Sequence, residues 1–297
     1  MPPEEIAELG TIYRWITSDL AFARGRGYDQ TLQAYLNRLT ARAHAVVYGG
    51  SPKGALRRIA DFYTQTFPAE VRASHRPILA CAGLFVVVAA VAYYLIHQDP
   101  LNAWVLLPES MVQPIHESLH KANFEPSVRE LGSPTMSALI MWNNIRLAFF
   151  AFGGGLTLGV LTIYLLVFNA LMLGGMGALY QTAGFGLDFW ATVAPHGIIE
   201  LSAVQIAAGA GLLLAAGVLA PGHLKRADAL RRNARRAGVL ILGVASMLVV
   251  AASIEGGFSP QNFSPQSRIA FGAATAVAML LYFVFVGRGK ATTAPAL

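Results

Sequence analysis

A single cysteine, Cys81, stands in the whole chain, and it lies inside an apolar run. One thiol supports no disulfide framework, no iron–sulfur cluster and no cysteine-ligated zinc site. Charge is equally scarce. Only 13% of the 297 residues are Asp, Glu, Lys or Arg, against about 25% in ordinary soluble proteins. No Gly-Lys-Ser or Gly-Lys-Thr occurs, so a Walker-type phosphate loop is absent and energy from ATP would come from a partner. Met1 to Gly10 hold no basic region followed by an apolar core, which argues against a cleaved signal peptide and leaves insertion to later segments.

What is abundant is apolar sequence: 55% of the residues are hydrophobic, in runs long enough to cross a hydrocarbon core of about 30 Å. The expected fold is all-α, a polytopic membrane protein of about six transmembrane helices with a Gly-rich core. Residues 1–76 read as a cytoplasmic domain of amphipathic helices near 3–24, 29–48 and 51–67. Residues 77–96 form the first span and 97–138 an extracytoplasmic loop. The membrane core, 139–287, holds five further spans. The first of these ends close to Phe168, a shorter one covers about 170–184 and is interrupted by Gly174, Gly175 and Gly177, and the others lie near 198–220, 238–255 and 269–286. Residues 288–297 are a cytoplasmic tail.

Orientation follows from the charges. The basic loop 222–237 carries Lys225, Arg226, Arg231, Arg232, Arg235 and Arg236 against Asp228 alone, while His97 to Pro134 hold five acidic and two basic residues. The Lys and Arg bias places the basic loop and both termini in the cytoplasm and the acidic loop outside. The net charge of +6 is therefore explained by membrane topology and lipid rather than nucleic acid. Arg231, Arg232, Arg235 and Arg236 also suit contact with anionic lipid or an acidic partner.

Two groups of residues carry chemistry. His196 and Glu200, in Pro195-His196-Gly197-Ile198-Ile199-Glu200, are four apart and share a helical face inside an apolar region. They fit a buried hydrogen-bonded network with Asn143, Asn144, Arg146, Asn169 and Glu255, an ion or proton path, or two ligands of a metal. Pro195 suits the first turn of a helix. The second group is His116-Glu117-Ser118-Leu119-His120, whose two histidines on one helical face can bind zinc while the glutamate acts as general base. The competing reading is an amphipathic helix on the outer membrane surface, with Met111, Ile115, Leu119 and Phe124 towards lipid. Small residues, among them Gly155, Gly159, Gly174, Gly175, Gly209 and Gly211, suit close helix packing, within the chain or across a homodimer.

The motifs Asn143-Asn144, Phe152-Gly153-Gly154-Gly155 with Gly159, Asn169 with Gly174, Pro195 to Leu201, and Ile254-Glu255-Gly256-Gly257-Phe258-Ser259-Pro260 resemble those of the integral membrane proteins related to stage II sporulation protein M. The N-terminal part resembles the longer, non-sporulation members through Tyr13-Arg14, Asp19-Leu20, Tyr35 to Leu39, Arg42-Ala43-His44, Tyr48 and Phe67-Pro68. The resemblance implies a non-enzymatic scaffold for cell-envelope (peptidoglycan) remodelling, with envelope-remodelling enzymes and a MoxR-type ATPase as partners and no cofactor. A transporter or channel through His196 and Glu200, and a zinc hydrolase on His116, Glu117 and His120, are the competing functions.

Overall fold

The computed structural model describes residues 3–47, 52–120, 134–258 and 263–288. The described residues contain helices and turns and no strand, so the protein is an all-α polytopic membrane protein. The chain forms two compact units, Met1–Phe62 and Tyr63–Leu297. Residues 63–76, expected with the polar N-terminal domain, thus belong to the membrane unit.

The first unit is built on α1 (Pro3–Gly25) and α2 (Gln30–Val47), followed by α3 (Pro52–Asp61). Gly27 at φ 65° ends α1, because a left-handed residue there lets the Tyr28 N–H reach back to the Ala23 carbonyl at 3.0 Å. Asp29 then caps α2, accepting from the Thr31 N–H at 3.2 Å, and hydrogen bonding from Thr31 holds its carboxyl below the ordinary value. Leu20 and Ala23 are buried, whereas Trp15, Phe22 and Tyr35 are more than half exposed.

The second unit contains α4 (Phe67–Ala73), α5 (His75–Gln98), α6 (Ala103–Leu106), α7 (Glu109–His120), α8 (Pro134–Gly153), α9 (Val160–Thr182), α10 (Gly186–Leu219), α11 (Arg226–Phe258) and α12 (Pro265–Phe285). Five of these, α5 and α9 to α12, are long and apolar enough to cross a membrane. The sixth expected span corresponds to α8, which has 20 residues but is made less apolar by Asn143, Asn144 and Arg146. The central element is α10. Its 34 residues extend over roughly 50 Å, and 67% of its most apolar stretch is buried, against 33% or less in the other four.

The interruption expected at Gly174 falls elsewhere. Helix α8 stops at Gly153, a tight turn covers Gly154–Thr157, and Leu158 and Gly159 sit at φ 58° and 86° before α9 begins. Gly155 and Gly159 therefore belong to a break rather than to one helix face. The turn is held by the Thr157 hydroxyl donating to the Gly154 carbonyl at 2.7 Å and by Thr162, whose hydroxyl donates to the Ala151 carbonyl at 2.7 Å. Helix α9 then runs unbroken through Gly174, Gly175 and Gly177.

Those glycines exist for close approach. A Cβ on Gly174 would collide with the Ala89 carbonyl of α5, and one on Gly175 would lie 2.8 Å from Leu107. Gly155 and Gly211 face each other so closely that a Cβ on Gly155 would strike the Gly211 carbonyl, while Gly209 is packed against Ile78. The small residues that suggested a homodimer thus meet neighbours within the chain.

The segment expected as a basic loop, 222–237, is helical from Arg226, so α11 projects several turns beyond its apolar part. Arg231, Arg232 and Arg235 are exposed, and Arg231 lies 3.7 Å from Asp228. Arg236 turns inward instead: its Nε donates to Glu70 at 2.8 Å and an η nitrogen donates to the buried Ser74 hydroxyl at 3.0 Å. Arg72 donates to the Phe283 and Val286 carbonyls at 2.8 and 2.7 Å, satisfying the end of α12. The short helix α4 is thereby tied to α11 and α12, and Phe67 sits in the gap left by Gly243.

Candidate functional site: a cavity in the helix bundle

Within the membrane unit lies a cavity of about 420 Å³. Its walls come from α5, α7, α8, α9 and α10, and most of its surface is apolar. Helix α10 supplies one continuous face, Val193, His196, Gly197, Glu200, Leu201 and Val204, the spacing by which side chains align along an α-helix. His196 is ten residues from the start of α10 and Glu200 fourteen, so they lie roughly 15 and 21 Å along its axis. They are 5% and 1% exposed respectively.

Pro195 is inside α10 rather than at a helix start. Lacking an N–H, it cannot supply the usual helical donor to the Ala191 carbonyl. The helix nevertheless continues on both sides because it is packed all round, and Pro195 itself is buried.

Asn144 of α8 reaches across and donates through Nδ2 to Glu200 Oε2. Asn144 is half-buried and its helical neighbours Leu147, Ala148 and Ala151 are buried, while Asn143 and Arg146 are exposed on another side of α8. Asn144, not Arg146, is therefore the α8 residue at the carboxylate. Asn169 lines the cavity from α9, its amide donating to the Leu165 carbonyl at 2.9 Å. Thr192 lines it from α10, its hydroxyl donating to the Asp188 carbonyl at 2.9 Å. Of the expected polar network, Asn144, Asn169, His196 and Glu200 are brought together. The Glu255 side chain lies outside the described residues.

Part of the wall was not anticipated from sequence. Tyr180 and Phe189 stack with ring centroids 5.1 Å apart, and both line the cavity together with Phe85. Helix α7 contributes Ser110, Met111, Pro114 and Ile115. Its apolar side packs on the bundle: Val112 and Ile115 are 2% and 5% exposed and share a core cluster with Ile96, Leu107 and Phe189. The expected surface helix with Ile115 towards lipid is in fact a cover over one end of the cavity.

The opposite face of α7 carries His116 and Glu117, the first two residues of the His-Glu-x-x-His string. His116 is exposed and meets the Trp104 ring edge-on at 5.6 Å, and Glu117 accepts from Gln113 at 3.1 Å. The His120 side chain, Leu119 and Phe124 lie outside the described side chains. Among the described residues no group of three His, Cys, Asp or Glu converges as metal ligands.

The described chemistry of the site is a carboxylate and an imidazole at helical spacing, two carboxamides, and an apolar and aromatic sleeve. Residues 1–49 match the model of a domain of unknown function, DUF8413. No curated protein and no solved structure matches the chain. The model for stage II sporulation protein M matches residues 81–260, which takes in α8, α9, α10 and the whole described cavity wall, and the chain belongs to that family of membrane proteins.

Proposed function

We propose that the protein is a non-enzymatic membrane scaffold for cell-envelope (peptidoglycan) remodelling, seated in a bacterial cytoplasmic membrane with both termini inside. The observation that carries this reading is the N-terminal unit, which leaves Trp15, Phe22 and Tyr35 exposed on α1 and α2. Exposed aromatic side chains of this kind are typical anchors of protein contacts. In this reading α1 and α2 dock a cytoplasmic partner such as a MoxR-type ATPase, and the end of the membrane unit that carries α6 and α7 meets envelope enzymes. The decisive experiment is cross-linking and co-purification of the full chain with a named MoxR-type ATPase and peptidoglycan enzymes from the same cells. Recovery of these proteins by the wild type and loss of the ATPase with Trp15→Glu and Tyr35→Glu supports the reading; equal recovery by both forms removes it.

A second reading is favoured by the cavity itself. Polar groups at membrane depth persist where they line a passage or a binding site, so a transporter or channel would use His196, Glu200 and Asn169 as its pathway. A solute flux carried by purified, reconstituted protein and lost in Glu200→Gln would establish this reading and displace the scaffold.

A further inference from the structure

Among the described residues of the N-terminal unit, neither α1 nor α2 packs along α3. Leu56 and Ile59 are 68% and 55% exposed, and Arg57, Arg58 and Ala60 are exposed as well. Leu56, Ile59 and Ala60 follow the i, i+3, i+4 spacing that puts side chains on one helical face, whereas Arg57, Arg58 and Asp61 fall on the other. Lys53, Arg57 and Arg58 outnumber Asp61, so the helix is basic. A ten-residue helix is marginal in water and takes its stability from whatever covers its apolar face.

The chain itself shows what lies beside that face. Two residues beyond Asp61, Tyr63 belongs to the membrane unit. Its hydroxyl shares a 2.5 Å hydrogen bond with the Ser246 hydroxyl of α11, and its carbonyl accepts from the Tyr282 hydroxyl of α12 at 2.6 Å. Both helices are apolar enough to cross a membrane, and Tyr282 is three residues from the end of α12 at Phe285. Leu56 and Ile59 precede Tyr63 by seven and four residues, so even a fully extended chain would hold them within roughly 25 and 14 Å of it. The apolar phase within that reach is the bilayer.

Composition favours lipid over a protein partner. Protein interfaces are enriched in aromatic anchors, which α1 and α2 expose and which α3 lacks. Aliphatic residues opposite Lys and Arg are the pattern of helices that lie in a headgroup layer. We propose that α3 is a surface anchor on anionic lipid: Leu56, Ile59 and Ala60 enter the leaflet at the end of the bundle that holds Tyr63, and Arg57 and Arg58 lie among its acidic headgroups. This goes beyond the scaffold reading and requires only that the membrane unit spans a bilayer.

The test uses the full-length protein in nanodiscs of phosphatidylglycerol and phosphatidylcholine in equal parts, with a nitrobenzoxadiazole fluorophore on Ile59→Cys or Arg57→Cys. Cys81, 1% exposed, is left in place. A nitroxide near the top of one acyl chain should quench the label at 59, whose emission should shift to the blue, while iodide in the water should quench the label at 57. Leu56→Cys should repeat the reading at 59 through an independent substitution. In phosphatidylcholine alone the ratio of docked to free α3 should fall roughly fivefold for each of the two arginines. Equal iodide quenching at 59 and 57, a label at 59 shielded from both quenchers as burial in protein would leave it, or lipid quenching unchanged without phosphatidylglycerol would each overturn the proposal.

Discussion

Asn144 on α8 donates a hydrogen bond to Glu200 on α10, joining two helices 56 positions apart at the polar end of the cavity. Glu200 is almost wholly buried, so this donor is hard to replace. Asn144→Leu should destabilise the protein by about 1–3 kcal/mol, the cost of leaving a buried acceptor without its donor. Asn143→Leu, one position along and exposed, should change stability by less than about 0.5 kcal/mol, as surface substitutions do. Thermal unfolding of the two variants in the same detergent checks this; equal effects would mean that α8 has a different rotation.

The glycines separate in the same way. Gly174→Ala places a methyl group against the Ala89 carbonyl, whereas Gly153→Ala meets nothing within 4 Å. Overpacking of this kind costs about 1–3 kcal/mol. The first variant should therefore lose thermal stability or monodispersity, and the second should retain both. Tolerance of Gly174→Ala would return the helix break to that position.

Much of the fold was legible in the sequence because membrane helices announce themselves by length and apolarity, although α9 runs unbroken through the division between spans expected at 168–170 and α10 begins well before the start expected at 198. The break was not. Gly153-Gly154-Gly155 and Gly174-Gly175 look alike as strings, and what distinguishes them is the partner: the turn before α9 lies over Gly211, while Gly174 lies against Ala89. The site was half legible. The His196 and Glu200 spacing gave one face, and the small residues Ala148 and Ala151, four and seven positions after Asn144, were a signal that Asn144 rather than Asn143 faces inward. Helix α7 showed its amphipathic face, but nothing local says whether such a face meets lipid or protein.

Among the basic residues of α11, only Arg236 is drawn to Glu70 and Ser74 in a half-buried contact. Arg236→Ala should cost about 1.5–3 kcal/mol, as loss of a hydrogen bond to a charged group does. Arg232→Ala, at an exposed position, should leave stability unchanged and affect only binding to anionic lipid vesicles. Vesicle flotation together with thermal unfolding distinguishes the two; a stability loss in Arg232→Ala would show that the arginine face is assigned wrongly.

The most direct test of the cavity is the number of thiols that react in the folded protein. Cys81 is the chain's only cysteine, is 1% exposed and does not line the cavity. Thr192→Cys adds a second thiol that does. Treated with N-ethylmaleimide and weighed intact, the folded variant should carry one adduct, at position 192, and the denatured variant two. A folded variant with no adduct would show that α10 is sealed against its neighbours at Thr192, and the cavity with its Glu200 site would then not exist.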